Sequence, residues 1–151
     1  AAGMTMKMEN LDAFRKAFEK VGEEMLTPDM LIPKVYYDAA MDIASVDNKM
    51  LTIVNKMAPF GPANMTPVFF ANGLKDDGSG KIIGKTKEHI RLNIKRANDS
   101  LGAVGFGMAD KLADIKKASS FEACFQINEN IFRGNRSIQL MLKDARPTTD
   151  A

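Results

Sequence analysis

The run Ala58-Pro59-Phe60-Gly61-Pro62-Ala63-Asn64-Met65-Thr66-Pro67-Val68-Phe69 constrains this chain more than any other stretch. Proline lacks an amide hydrogen and has a fixed φ, so it cannot continue a helix. It also biases the residue before it towards extended geometry. Three prolines and a glycine here end any helix that precedes them, force an extended crossing and launch a strand.

The segments on either side read differently. Asn10 to Met25 is amphipathic: Leu11, Phe14, Phe18, Val21 and Met25 recur at helical spacing, with Asn10 placed as N-cap. Pro28 and Pro33 bracket a linker. Lys34 to Ile43 alternates, with Val35, Tyr37, Ala39, Met41 and Ile43 on one face, and period two predicts a half-buried strand. Ser45 then caps a second helix, with Val46, Met50, Ile53, Val54 and Met57 inward, ending at Pro59.

Beyond the proline run the pattern is mostly strand. Val68 to Lys75 is followed by the turn Asp76-Asp77-Gly78-Ser79-Gly80 and the strand Lys81 to Gly84. Glu88 to Arg96 turns Ile90, Leu92 and Ile94 inward and His89, Arg91, Asn93 and Lys95 outward. Leu101 to Phe106 is a short apolar strand, broken at Gly107. Met108 to Lys117 is helical through Met108, Leu112 and Ile115. Phe121 to Ile131 and Arg136 to Lys143 form a hairpin whose turn carries Gly134-Asn135.

Composition excludes several classes. No apolar run approaches a membrane span, and the first residues lack the basic flank and apolar block of a secretory signal. A lone cysteine, Cys124, cannot form an internal disulfide, which points to a reducing cytoplasm. With one histidine and one cysteine there is no HExxH, CxxC or DHH, so no catalytic or metal-ligating residue is assigned. The aspartate-rich turn lacks the spacing and closing glutamate of a calcium loop.

The element boundaries carry a resemblance. Pro59-Phe60-Gly61, Asn64 and Pro67-Val68-Phe69 resemble the "PFGxxNxxPVF" entry to the C-terminal OB-fold of RecJ-type single-strand-specific exonucleases. Phe132-Arg133-Gly134-Asn135-Arg136-Ser137-Ile138-Gln139-Leu140, with Asp144-Ala145-Arg146-Pro147, resembles that family's closing hairpin. Ala1-Ala2-Gly3-Met4-Thr5 is similar to the tail of its "GGHxxAAGLT" motif. The implied fold is a β-rich α+β chain: an OB-fold-like five-stranded Greek-key barrel with an N-terminal helix and a connecting helix. Residues 1–27 would be a remnant of the DHH-associated domain, 28–66 a connecting strand and helix, 67–147 the OB-fold and 148–151 a frayed tail. About five antiparallel strands with a helix between the third and fourth fit that fold. In such a family the metal site, holding manganese or magnesium, lies in a separate DHH domain. This chain by itself would need no cofactor and be inactive, in a bacterial cytoplasm.

Charge distribution suggests where a partner would lie. Residues 1–50 hold six Lys/Arg and nine Asp/Glu, whereas residues 81–96 hold six Lys/Arg against Glu88 alone, a net of +5. Such a block faces a polyanion or is a lysine-protected strand edge. In an OB-fold the strand 2–3 face and the loops between strands 1–2 and 4–5 take nucleic acid. Lys85, Lys87, His89, Arg91, Lys95, Arg96, Arg133 and Arg136 are the cationic candidates and Phe132 the stacking candidate, with Phe69 or Phe70 next. Phe106, Phe121 and Phe125 read as core. The expected function is single-stranded DNA binding in repair and recombination, as part of a 5′-to-3′ exonuclease. The alternative is a docking module for the missing DHH catalytic domain or a repair partner protein.

Overall fold

A computed structural model describes residues 3–148. The first two residues of the Ala1-Ala2-Gly3-Met4-Thr5 motif, and all but Thr148 of the expected frayed tail, lie outside the described residues. The chain divides into two compact units, the first ending at Lys34 and the second beginning at Val35.

In the first unit a 3-10 turn, Met8–Asn10, runs into α1 (Leu11–Met25). Asn10 was expected to cap the helix, but its backbone is already helical and its side chain makes no capping bond. Phe14 and Phe18 stack at 5.6 Å between centroids, and no residue of α1 is buried.

The second unit opens with an exposed segment rather than the expected strand. Only Ala39–Ala40 (β1) pairs, in parallel, with Phe69 and Phe70. The alternation of Lys34 to Ile43 is present in the sequence, but the segment lies at a sheet edge and has a neighbour on one side only. Asp38 fastens it: its backbone N–H donates to Val68 O at 2.7 Å, and its carboxylate accepts from Val68 N at 2.8 Å. Helix α2 (Asn48–Lys56) starts later than expected. Asp47, not Ser45, is its cap and accepts from Met50 N at 2.8 Å, a contact worth about 1 kcal/mol. Ser45 instead ends a 3-10 turn, Ile43–Ser45. The helix accordingly buries Leu51 and Val54, while Ile53 and Met57 are exposed.

The proline run is a locked loop. Asn64 Nδ2 donates to Met57 O at 3.0 Å and to Pro59 O at 2.8 Å, tying the helix end to the turn. The remaining elements are β2 (Phe69–Leu74), β3 (Lys81–Ile83), β4 (His89–Lys95), β5 (Ser100–Gly105), α3 (Leu112–Lys117), β6 (Phe121–Phe132) and β7 (Asn135–Pro147). They form one seven-stranded sheet in the order β1-β2-β6-β7-β5-β4-β3. The sheet curls until the segment after β2 meets β4: Asp76 bridges Ile94, and Lys95 N donates to Lys75 O at 2.8 Å.

Leaving aside β1 and β3, the five strands β2, β4, β5, β6 and β7 have the OB-fold connectivity, with α3 between the third and fourth. They are not all antiparallel as expected. The crossover through α3 skips a position, so β7 rather than β6 lies beside β5, and in the same direction. Their inner face is apolar: Ile90, Leu92, Ile94, Phe125 and Leu140 are fully buried. Met108, Leu112 and Ile115 join the same cluster from α3 and its approach.

Two local expectations change. The hairpin turn has its positive φ values at Arg133 and Gly134, not at Gly134 and Asn135. Phe132 pairs with Asn135, leaving a two-residue turn in which both residues need φ above zero. Phe106, expected in the core, is 57% exposed. The strand β5 ends at Gly105, so Phe106 stands in the turn that follows, where strand alternation no longer directs it inward.

Candidate nucleic-acid interface

The outward face of β4 is the centre of the candidate site. Ile90, Leu92 and Ile94 occupy the inner face, so pleating sends His89, Arg91, Asn93 and Lys95 the other way. Cross-strand register extends this face sideways. Arg91 pairs with Lys81 on β3 and Val104 on β5, and Val104 pairs with Met141 on β7. Asn93 pairs with Gly102, which pairs with Gln139. Lys81 thereby joins Arg91 as a second cation in the same row. Its place beside Arg91 depends on the register of β3 on β4, which no local pattern in the sequence encodes.

His89 closes one end of the face. Its Nδ1 accepts from Gly107 N at 3.1 Å, and its ring meets Phe106 edge-on at 4.9 Å. Gly84 sits against the His89 ring with φ of +91°, leaving no room for a β-carbon without a shift. An exposed phenylalanine thus stands edge-on to a positioned histidine at the end of a cationic strand face. Sequence reading placed Phe106 in the core. The signal that opposes that reading is the pair of flanking glycines, Gly105 and Gly107, which mark the strand's end.

The other candidates separate into groups. Lys85 and Lys87 are exposed in the β3–β4 loop, which is shaped by positive φ at Gly84 and Lys87. At the β6–β7 tip Phe132 is 64% exposed and the Arg133 guanidinium lies 5.2 Å from its ring centroid. Arg136 is exposed and pairs with Glu129 at 3.3 Å, a surface contact of little energetic weight. Phe69 is buried and Phe70 stacks on Tyr37 at 5.1 Å.

Arg96 is committed elsewhere. Its side chain is only 20% exposed; it forks onto Asp99 and also donates to Val46 O at 2.5 Å. It therefore joins the β4–β5 turn to the approach to α2 and is not a free cation. The hydrogen bond from Arg96 holds the Asp99 carboxyl below its ordinary value of 3.8, against a smaller opposing effect of desolvation. The folded state thus resists protonation there more than the unfolded chain does. Stabilisation by the pair is complete above the ordinary value and is lost as pH falls through the lower folded-state value. Asp99→Asn is expected to flatten the acid limb of a thermal-midpoint-versus-pH curve; an unchanged limb would show that the pair has no part in it.

Elsewhere, Arg146 pairs with Glu122 and Lys111 with Asp144. Cys124 has its thiol pushed up chiefly by burial. Among the described residues no group of three His, Cys, Asp or Glu side chains is placed to hold a metal ion, and no helix is long and apolar enough to cross a membrane.

Residues 37–144 match the family model of the RecJ OB domain. The chain is 27% identical over 146 residues to the single-stranded-DNA-specific exonuclease RecJ of Bacillus subtilis (strain 168), covering 96% of this chain and 18% of that protein. It is 21% identical over 152 residues to the enzyme of the same name from Salmonella typhimurium, covering 97% of this chain and 25% of that protein. The crystal structure of RecJ in complex with Mg2+ from Thermus thermophilus superposes with a TM-score of 0.72 at 16% identity, over 97% of this chain and 21% of that one. The chain thus spans about a fifth to a quarter of the length of these relatives.

Proposed function

Because the chain belongs to the RecJ OB domain family, we propose that it holds single-stranded DNA for a larger bacterial 5′-to-3′ exonuclease acting in repair and recombination. The observation that supports this reading is the outward face of β4, where Lys81 pairs beside Arg91, Lys95 lies on the same face and the His89–Phe106 pair stands at its end. Cations on such a face neutralise phosphates, and an exposed ring offers a π-face that any base can stack on. Lys85 and Lys87 extend the charge into the loop. Phe132 and Arg133 offer a second aromatic and cationic contact at the hairpin tip, with Arg136 beside them. Manganese or magnesium would serve the hydrolytic step in another part of the longer protein. The residues described here do not form a metal cage, and no step is assigned to them beyond gripping and orienting the strand.

A second reading, docking against another part of the longer chain or a repair partner, draws support from two observations. Arg136 and Arg96 already have acidic partners. The segment before β1 also leaves Val35, Tyr36 and Tyr37 exposed.

A salt series on single-stranded oligonucleotides separates the two. On single strands each phosphate contact contributes a logarithmic slope of about −0.7, so Arg91→Ala with Lys95→Ala should flatten the slope by about one to one and a half units. Both side chains are exposed, so cooperative unfolding should persist. Parental binding by the double variant at every salt concentration would transfer support to docking.

A further inference from the structure

Three lysines remote in sequence line one cavity on the barrel. Lys75 follows β2, Lys95 ends β4 and Lys116 lies in the last turn of α3; Ser119 and Ser120, in the link to β6, line it with them. The cavity measures about 260 Å³. None of the three lysines is in an ion pair among the described residues.

Asp76 also lines the cavity, but its oxygens are engaged. Oδ2 accepts from Gly78 N and Gly80 N, and Oδ1 from Asn93 N, each at 2.9 Å. Asp77 feels the charge of Lys95, yet its carboxyl is held low first by Ser79. Three lysines and one carboxylate therefore line the cavity, a net of two positive charges. Like charges gathered around one cavity repel unless an anion lies between them. Lys116 and Lys117 both offset the negative end of α3, but it is Lys116 that lines the cavity.

We propose that this cavity is a phosphate-binding site, distinct from the Arg91 row and contiguous with it through Lys95. Lysine binds phosphate as a point charge, and serine hydroxyls donate to its oxygens. At about 260 Å³ the cavity is smaller than a drug-sized pocket, which begins at about 300 Å³, and has the room of several waters at about 30 Å³ each, the scale of one partly hydrated phosphate. Arg91 and Lys95 are four residues apart, about 13 Å along a strand. A phosphodiester chain leaving the row would reach the cavity at Lys95.

The test titrates inorganic phosphate into the 151-residue chain and follows backbone amide resonances. Saturable shifts are expected at Ser119 and Ser120. Lys75→Ala combined with Lys116→Ala should weaken them at least tenfold, and Lys49→Ala combined with Lys56→Ala, two exposed changes of equal total charge on α2, should leave them intact. Shifts that never saturate, or that survive the double variant, overturn the proposal.

A second arm identifies the source of the phosphate. If the site takes the DNA backbone, the same double variant flattens the oligonucleotide salt slope by about 1.4 units, and the oligonucleotide removes the phosphate-dependent shifts. If the slope is unchanged while the shifts are lost in the variant, the site takes free phosphate or a mononucleotide. Both results support a phosphate site. Arg91→Ala should leave the phosphate shifts in place, so failure of the strand-face reading and failure of this one give different data.

Discussion

Phe125→Ala should destabilise the chain by about 3–5 kcal/mol, the range for removing a fully buried aromatic ring. Phe125 is completely buried on β6, a strand flanked on both sides. It is in register with Phe69 on β2 and Leu142 on β7, and its ring lies 6.3 Å from that of Phe69. Truncation leaves a void that β-sheet backbone on both sides cannot collapse to fill. Against a typical stability of about 5–15 kcal/mol this is a large fraction. The expected measurement is a lower urea midpoint with an unchanged m-value. A loss below about 1 kcal/mol would mean that the core is not built around this ring.

Phe106→Ala should do the reverse. Its ring is more than half exposed at 57%, so stability should stay within about 0.5 kcal/mol of the parent. Single-strand affinity should fall by about 1–3 kcal/mol if the ring stacks on a base, or roughly 5- to 150-fold in Kd. The salt slope should not move, because no charge is removed. Gly105 and Gly107 flank Phe106, and Gly107 has φ of +66°, so the ring sits where the chain leaves the sheet, against His89. Unaltered affinity in Phe106→Ala together with a loss in Phe132→Ala would move the stacking platform to the hairpin tip.

Much of the candidate site followed from strand parity alone. In β4 the buried positions alternate with His89, Arg91, Asn93 and Lys95, as period two requires, because each strand residue faces opposite to its neighbour regardless of what lies beyond. Arg96 shows where that logic ends. It is one residue past the strand, and its acidic and carbonyl partners, Asp99 and Val46 O, come from a turn and from a segment 50 residues earlier. Phe106 differs for a related reason: the inward pattern assigned to it holds only while the strand continues, and β5 ends one residue earlier, at Gly105.

The sequence by itself determined what is local: the strand identities after the proline run, the inner faces of β4 and β6, the helix between the third and fourth barrel strands, and the motif that marks the family. These rest on φ restriction, side-chain period and turn chemistry, which act within a few residues. Tertiary structure decided what depends on a distant neighbour. The edge position reduced the alternating segment before α2 to the Ala39–Ala40 pair, and the crossover through α3 made β5 and β7 parallel. Closure of the sheet brought Lys75, Lys95 and Lys116 around one cavity. No window of sequence contains those neighbours, because the free energy that selects them comes from burying the common core of the sheet.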